Sequence, residues 1–279
     1  MGKLIKGLAF DGQVRVVAVD STDIVADALK IHKLSPTATG ALGRFLTAGS
    51  LMGSMLKNDT DRLTLMMKGD GPLGSMVVCA DKNATVKGYA QNPYVDIPLN
   101  DKGKLDVGGA VGKGMMTVIK DIGLKEPYSG SVEIVTGEIG DEFAKYFMES
   151  EQTPSAVAVG VLVNNKGEVP FAGGYIVQLI PNVEDAIIDM IEDRVNHIKP
   201  VTTLLKEGFS LEEIVKAVTG DDELKILEET TSEYKCDCSR ERMEEAIRAL
   251  SPQERMNIIV QEGKIEIKCS FCGRVELWK

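Results

Sequence analysis

The cysteines constrain this chain more than any other feature. Five occur in 279 residues, and four of them are crowded into the last 49 as Cys236-Asp237-Cys238 and Cys269-Ser270-Phe271-Cys272, with 30 residues between the pairs. Two tight pairs at that separation point to a tetrahedral Zn²⁺ site, whose ligands come in short-spaced pairs. The two histidines, His32 and His197, lie far away in sequence, which favours four thiolates over a mixed ligand set. Ser251-Pro252 followed by Glu254 is a helix start, so the module carries a helix between its two metal-binding ends. So small a unit has little apolar core, and zinc ligation worth on the order of 10–16 kcal/mol is large enough to decide whether it folds.

The spacing leaves two uses open, a staple for a small domain or a redox switch. Chemistry of the first pair argues for the switch. Cysteines two apart in an extended chain have Cα atoms roughly 6.6–7.2 Å apart, beyond the ~4.4–6.8 Å that a disulfide prefers. Closing such a bond bends the backbone and stores strain, and strained disulfides are readily reversed. Metal and disulfide also exclude each other. Tetrahedral ligand sulfurs sit roughly 3.8 Å apart, against ~2.05 Å in a disulfide.

Composition excludes several other classes. With 43% hydrophobic and 27% charged residues the chain reads as globular, and its formal charge of −10 argues against attraction to nucleic acid or anionic membrane. Residues 1–20 contain Lys3, Lys6 and Asp11 and no apolar run of signal-peptide length, and the most apolar stretch, 39–56, carries Arg44 and many small polar residues. The expectation is a cytoplasmic protein, in which clustered cysteines serve metal or redox chemistry.

Charge divides the chain into three. Residues 1–178 hold 18 basic and 20 acidic residues, 179–230 hold 5 and 13, and 231–279 hold 9 and 9, so the middle segment carries nearly all the negative excess. The first segment mixes strand patterns (Gln13–Val19, Leu63–Lys68, Ser75–Ala80, Thr85–Ala90, Ser131–Val135, Ala156–Val163) with helices from Asp23, over 36–56 after Ser35-Pro36, and around Asp141–Met148. Grouped strands with a few helices predict an α+β domain. Gly40, Gly43, Gly49 and Gly53 in the second helix predict close packing. The middle segment reads as helical. Val183, Ile187, Ile188, Ile191, Val195 and Ile198 make one apolar stripe, and Ser210 with Glu213 caps a further helix through Leu211, Ile214, Val215 and Val218. Such helices must lie on something, and the first domain is the expected support. The division is thus a 1–178 α+β domain, a 179–230 amphipathic helical linker and a 231–279 zinc-binding module.

The stretch Tyr234 to Arg242 (YKCDCSRER) with Cys269 to Cys272 (CSFC) resembles the zinc module of the redox-regulated thirty-three-kilodalton heat-shock chaperones. The likeness extends over the chain, through GALGRFLTAG at 40–49, GDGPLG at 69–74, EPYSGSVE at 126–133 and FAKYFMESEQTPSAV at 143–157. The resemblance implies an ATP-independent holdase, not an enzyme, that is inactive when reduced and holding one Zn²⁺ on Cys236, Cys238, Cys269 and Cys272. It implies that oxidation forms Cys236–Cys238 and Cys269–Cys272 disulfides, releases the metal and unfolds the module and linker. The 1–178 domain would then bind unfolding client proteins and support a homodimer, with clients passed on to ATP-dependent foldases.

Weaker signals have simpler readings. Gly69 to Gly74 matches GxGxxG, but a strand follows instead of a helix, which favours a turn. Ser54-Met-Leu-Lys57 matches SxxK without companion motifs. Cys79 sits in an apolar strand pattern and reads as a small hydrophobe. The rival reading is a nucleic-acid-binding or assembly protein with a purely structural zinc module, using Arg240, Arg242, Arg248 and Arg255; nine acidic residues in the same segment oppose it.

Overall fold

The computed structural model describes residues 1–278, which divide into two compact units, Met1–Tyr234 and one beginning at Lys235. The first unit is organised by β1 (Gly2–Ala9), β2 (Val14–Asp20), α1 (Thr22–His32), α2 (Pro36–Gly53), β3 (Arg62–Gly69), β4 (Ser75–Asp81), β5 (Thr85–Ala90) and α3 (Val107–Val111). It continues through β6 (Gly114–Asp121), β7 (Tyr128–Ile134), α4 (Gly140–Ser150), β8 (Ser155–Leu162) and β9 (Phe171–Leu179). Then come α5 (Asp185–His197), α6 (Val201–Lys206), α7 (Leu211–Thr219) and β10 (Lys225–Tyr234). Among the described residues its strands form one ten-stranded sheet ordered β7-β6-β3-β4-β5-β10-β1-β2-β9-β8, an α+β arrangement as the sequence predicts.

Helix α2 fills one face of this sheet. Ser35 accepts a hydrogen bond from the Ala38 N–H and Pro36 occupies the first helical turn, the start expected from the sequence. Sixteen of its eighteen residues are buried, so it is a core helix enclosed on all sides. Its glycines make that possible. A Cβ at Gly49 would lie 2.5 Å from Val78 Cγ1, and one at Gly43 would lie 2.6 Å from Val25 Cγ1. Phe45, Leu46, Leu63, Leu65, Phe143 and Phe147 complete this first apolar cluster.

The acidic middle segment covers the opposite face of the β1, β2 and β9 strands. Ile187 and Ile191 of α5, Val201 and Leu204 of α6, and Leu211, Ile214, Val215 and Val218 of α7 pack with Ile5, Val14, Val16, Ala18, Tyr175 and Val177. Val183, Val195 and Ile198 join at the margin, partly buried. The Ser210–Glu213 capping box is formed, with Ser210 Oγ accepting from the Glu213 N–H at 3.2 Å and the Ser210 N–H donating to Glu213 Oε2 at 2.8 Å.

Strand β10 has no counterpart in the sequence reading. It pairs with β1 over most of its length but with β5 only at Glu233↔Thr85 and Tyr234↔Val86, in parallel. Beyond the ladder with β1, buried hydroxyls tie it to its neighbours. Ser232 Oγ donates to the Ala84 carbonyl at 2.6 Å and lies 2.7 Å from Ser50 Oγ of α2.

Two glycines of α2 give a test of this packing. Alanine gains about 1 kcal/mol of helix propensity over glycine, whereas overpacking a dense core costs about 1–3 kcal/mol. At Gly49 the new methyl meets a branched neighbour at 2.5 Å, and at Gly40 the nearest atom is 3.3 Å away. Gly49→Ala should therefore lower the urea midpoint followed by circular dichroism, by about 1–2 kcal/mol of stability, while Gly40→Ala leaves it near the parent. Equal midpoints for the two variants would contradict the packing argument.

Candidate metal centre

The second unit consists of α8 (Arg240–Arg248), α9 (Pro252–Glu262) and a hairpin of β11 (Ile265–Lys268) with β12 (Val275–Trp278). Its core is small. Among the described residues from Lys235 onward, Met243, Ile247 and Ile265 are the only buried apolar side chains. The helix α9 begins at the Ser251–Glu254 capping box but buries no residue. Apolar burial at ~1.5–3 kcal/mol per side chain gives such a unit little to offset chain entropy.

The four cysteines lie on two short segments that local hydrogen bonding shapes. Cys236 and Cys238 occupy the extended stretch before Ser239, which caps α8 by accepting from the Arg242 N–H. Cys269 and Cys272 lie on the turn joining β11 to β12. There the Cys269 N–H donates to the Arg274 carbonyl and the Gly273 N–H to the Cys269 carbonyl, both at 2.9 Å. Gly273 has φ 71°, a left-handed conformation that suits glycine.

All four sulfurs lie within 4.8 Å of one another, and among the described residues this is the one cluster of three or more such groups suited to a metal. Cys236 Sγ is 3.7 Å from Cys269 Sγ, and Cys238 Sγ is 3.3 Å from Cys272 Sγ. These spacings fit the roughly 3.8 Å edge of a tetrahedral zinc–thiolate site. The chemistry of the donors fits as well, since soft thiolates select zinc or iron–sulfur centres over hard cations. Burial pushes the Cys236 and Cys238 thiols up. At Cys269 burial acts the same way, but the backbone N–H groups of Cys272 and Phe271 together with the Cys236 and Cys272 side chains bring the thiol down. Four thiolates held this close repel one another, and a bound cation is what would keep them together. The contacts of 3.7 and 3.3 Å run between the two segments, and all four sulfurs lie within 4.8 Å, so proximity does not itself select the disulfide pairs.

The remaining candidates fall elsewhere. Cys79 lies on β4 with its sulfur 3.8 Å from Thr64 Oγ1, half-buried in the sheet. His32 Nε2 lies 3.0 Å from the Tyr234 hydroxyl, and His197 Nδ1 lies 2.7 Å from the Asp193 carbonyl. The Gly69 to Gly74 loop joins β3 to β4, and Cβ atoms at Gly69 and Gly71 would overlap carbonyls of Val111 and Ala110, which supports the turn reading. The Ser54 hydroxyl is spent on the Leu51 carbonyl at 2.7 Å. Three of the four arginines of the rival reading meet acids: Arg242 pairs with Asp237 at 2.8 Å, and Arg240 and Arg248 each lie 3.4 Å from Glu244, whereas Arg255 Nε is buried without a hydrogen-bond partner among the described residues. That leaves little free basic surface for a phosphate backbone.

Comparison with known proteins agrees with this architecture. The family model described as Hsp33 protein matches residues 2–276. The 33 kDa chaperonin of Caldanaerobacter subterraneus subsp. tengcongensis is 51% identical over 272 residues, covering 97% of this chain and 92% of the relative. That of Clostridium beijerinckii is 47% identical, with 97% and 93% covered. The crystal structure of the 33 kDa chaperonin (heat shock protein 33 homolog) from Thermotoga maritima superposes with a TM-score of 0.93 at 36% identity, covering 99% of this chain and 94% of that one. With the cysteine cluster, the α+β fold and a match over nearly its whole length, the chain belongs to the Hsp33 family of 33 kDa chaperonins.

Proposed function

We propose that this chaperone is a holdase switched on by oxidation of its cysteine cluster. The observation that carries the reading is the convergence of four sulfurs within 4.8 Å in a unit with three buried apolar side chains. Bound there, Zn²⁺ supplies a tetrahedral crosslink between the Cys236–Cys238 and Cys269–Cys272 segments. Each disulfide forms from two thiolates with loss of two electrons, which hypochlorous acid takes up with one proton to give chloride and water. The pairs are Cys236–Cys238 and Cys269–Cys272, and their formation withdraws the sulfurs from ligating geometry. The unit then loses its crosslink and has too little core to stay folded.

The functional division runs 1–178, 179–230 and 231–279. A single residue, Lys235, separates β10 from Cys236, so disorder in the last segment reaches the strand that follows the acidic helices. Release of α5, α6 and α7 uncovers Ile5, Val14, Val16, Tyr175 and Val177, an apolar sheet face suited to unfolding polypeptides. The acidic excess of the freed helices keeps the opened protein soluble. Oxidised protein acts as a homodimer in the cytoplasm without ATP and yields clients to ATP-dependent foldases when reductant returns. Among the described residues no helix is long and apolar enough to cross a membrane.

Light scattering from an unfolding client tests the switch. Protein treated with hypochlorite should suppress aggregation and the reduced, zinc-loaded protein should not; equal suppression by both would identify a constitutive chaperone with a structural metal. The variant Cys269→Ser should bind zinc more weakly and reach full activity with less oxidant. An unchanged zinc affinity and oxidant threshold in that variant would count against the proposal.

A further inference from the structure

Each cysteine pair is followed two positions later by an arginine, Arg240 after Cys238 and Arg274 after Cys272. Both arginines meet one carboxylate. Arg274 places Nη2 2.7 Å and Nε 2.9 Å from Glu276 Oε1, while Arg240 Nη1 lies 3.5 Å from Glu276 Oε2. The Glu276 side chain is 14% exposed, against 52% and 48% for the two arginines. Arg240 is held from other sides too. Its Nε lies 3.4 Å from Glu244 Oε1, its guanidinium lies 5.5 Å from the Trp278 ring centroid, and Trp278 Nε1 donates to Glu244 Oε1 at 3.4 Å.

An isolated exposed ion pair contributes little, because solvent screens it and two long side chains must be immobilised. This arrangement differs in three respects. The shared carboxylate is largely buried, both of its oxygens are engaged, and the joined arginines belong to the two separate segments that bear the ligand sulfurs. Groups that hydrogen-bond and orient metal ligands are worth about 10–100-fold in metal affinity, and a link that fixes the ligand-bearing segments acts on the same ligand positions one step further out.

We propose that Glu276 is a positioning residue for the metal centre. Its carboxylate ties Arg240 to Arg274, holds the two cysteine pairs in ligating register, and thereby sets the zinc affinity and the oxidant dose at which that register is lost. The inference rests on the zinc reading given above. A competing mechanism is charge alone, in which the arginines offset the negative charge of four thiolates. The two mechanisms differ in sign. Removing the glutamate charge would then tighten zinc binding, and exchanging one cation for another at 274 would change nothing.

The test is zinc affinity of the reduced full-length protein, titrated against a chromophoric chelator, for Glu276→Gln and Arg274→Lys. Positioning predicts weaker binding in both, by about 10-fold or more for Glu276→Gln. The double variant should be no weaker than the worse single variant, since both remove one link. Arg248→Gln, which removes an exposed contact to Glu244, serves as the control and should match the parent. Tighter binding in Glu276→Gln, or parental affinity in both variants while the parent binds zinc, overturns the inference alone. A parent that takes up no zinc overturns the metal reading and this inference together.

Discussion

The interaction on which the proposed switch depends is the crosslink that four sulfurs can make in a unit with little apolar burial. Met243, Ile247 and Ile265 are the buried apolar side chains described there, and α9 buries none of its eleven residues. A larger module would survive loss of a metal, because its core would carry the fold. In the proposed switch the ligands and the fold form one cooperative system, so that thiol chemistry would become a conformational signal. Crowding four sulfurs within 4.8 Å would also make the site responsive, since the atoms that could hold a cation are those an oxidant attacks.

The first unit is arranged as if to divide stability between two faces of one sheet. On one side α2 packs against Val25 and Val161 at Gly43 and against Val78 at Gly49, where an added Cβ would lie 2.6 and 2.5 Å from the nearest valine methyls. On the other, three short helices lie across β1, β2 and β9 with exposed acidic backs. Short helices have little stability without their tertiary contacts, so the second face is the one expected to open first. The strand that follows them, β10, shares only two residue pairs with β5 and relies on Ser232 and its partners for a buried anchor.

Much of this was legible in the sequence, and the parts that were not have identifiable causes. Ser35-Pro36, Ser210 with Glu213 and Ser251 with Glu254 each mark a helix start that the structure forms, because capping is a local interaction. The clustering of the four sulfurs was legible from spacing, because candidate ligand pairs are also local. Strand β10 was not, since Glu228, Glu229 and Glu233 break any apolar alternation and only Ser232 is buried, by contacts with residues 50 and 84. In β9, Gly173 and Gly174 imitate a turn, although the space beside Val19, Ala158 and Thr47 is what requires them. The Arg240–Glu276–Arg274 link was invisible for the same reason as β10: charge pairing between distant segments leaves no period in the sequence.

Hydrogen exchange measured residue by residue in the reduced, zinc-loaded protein and after oxidation tests the central coupling most directly. Amides of Ile214, Val215 and Val218 in α7 should lose protection on oxidation together with those of α8, while Leu46 and Leu51 in α2 stay protected. If α7 keeps its protection when α8 has lost it, the cysteine cluster does not govern the acidic helices, and the switch as described here is contradicted.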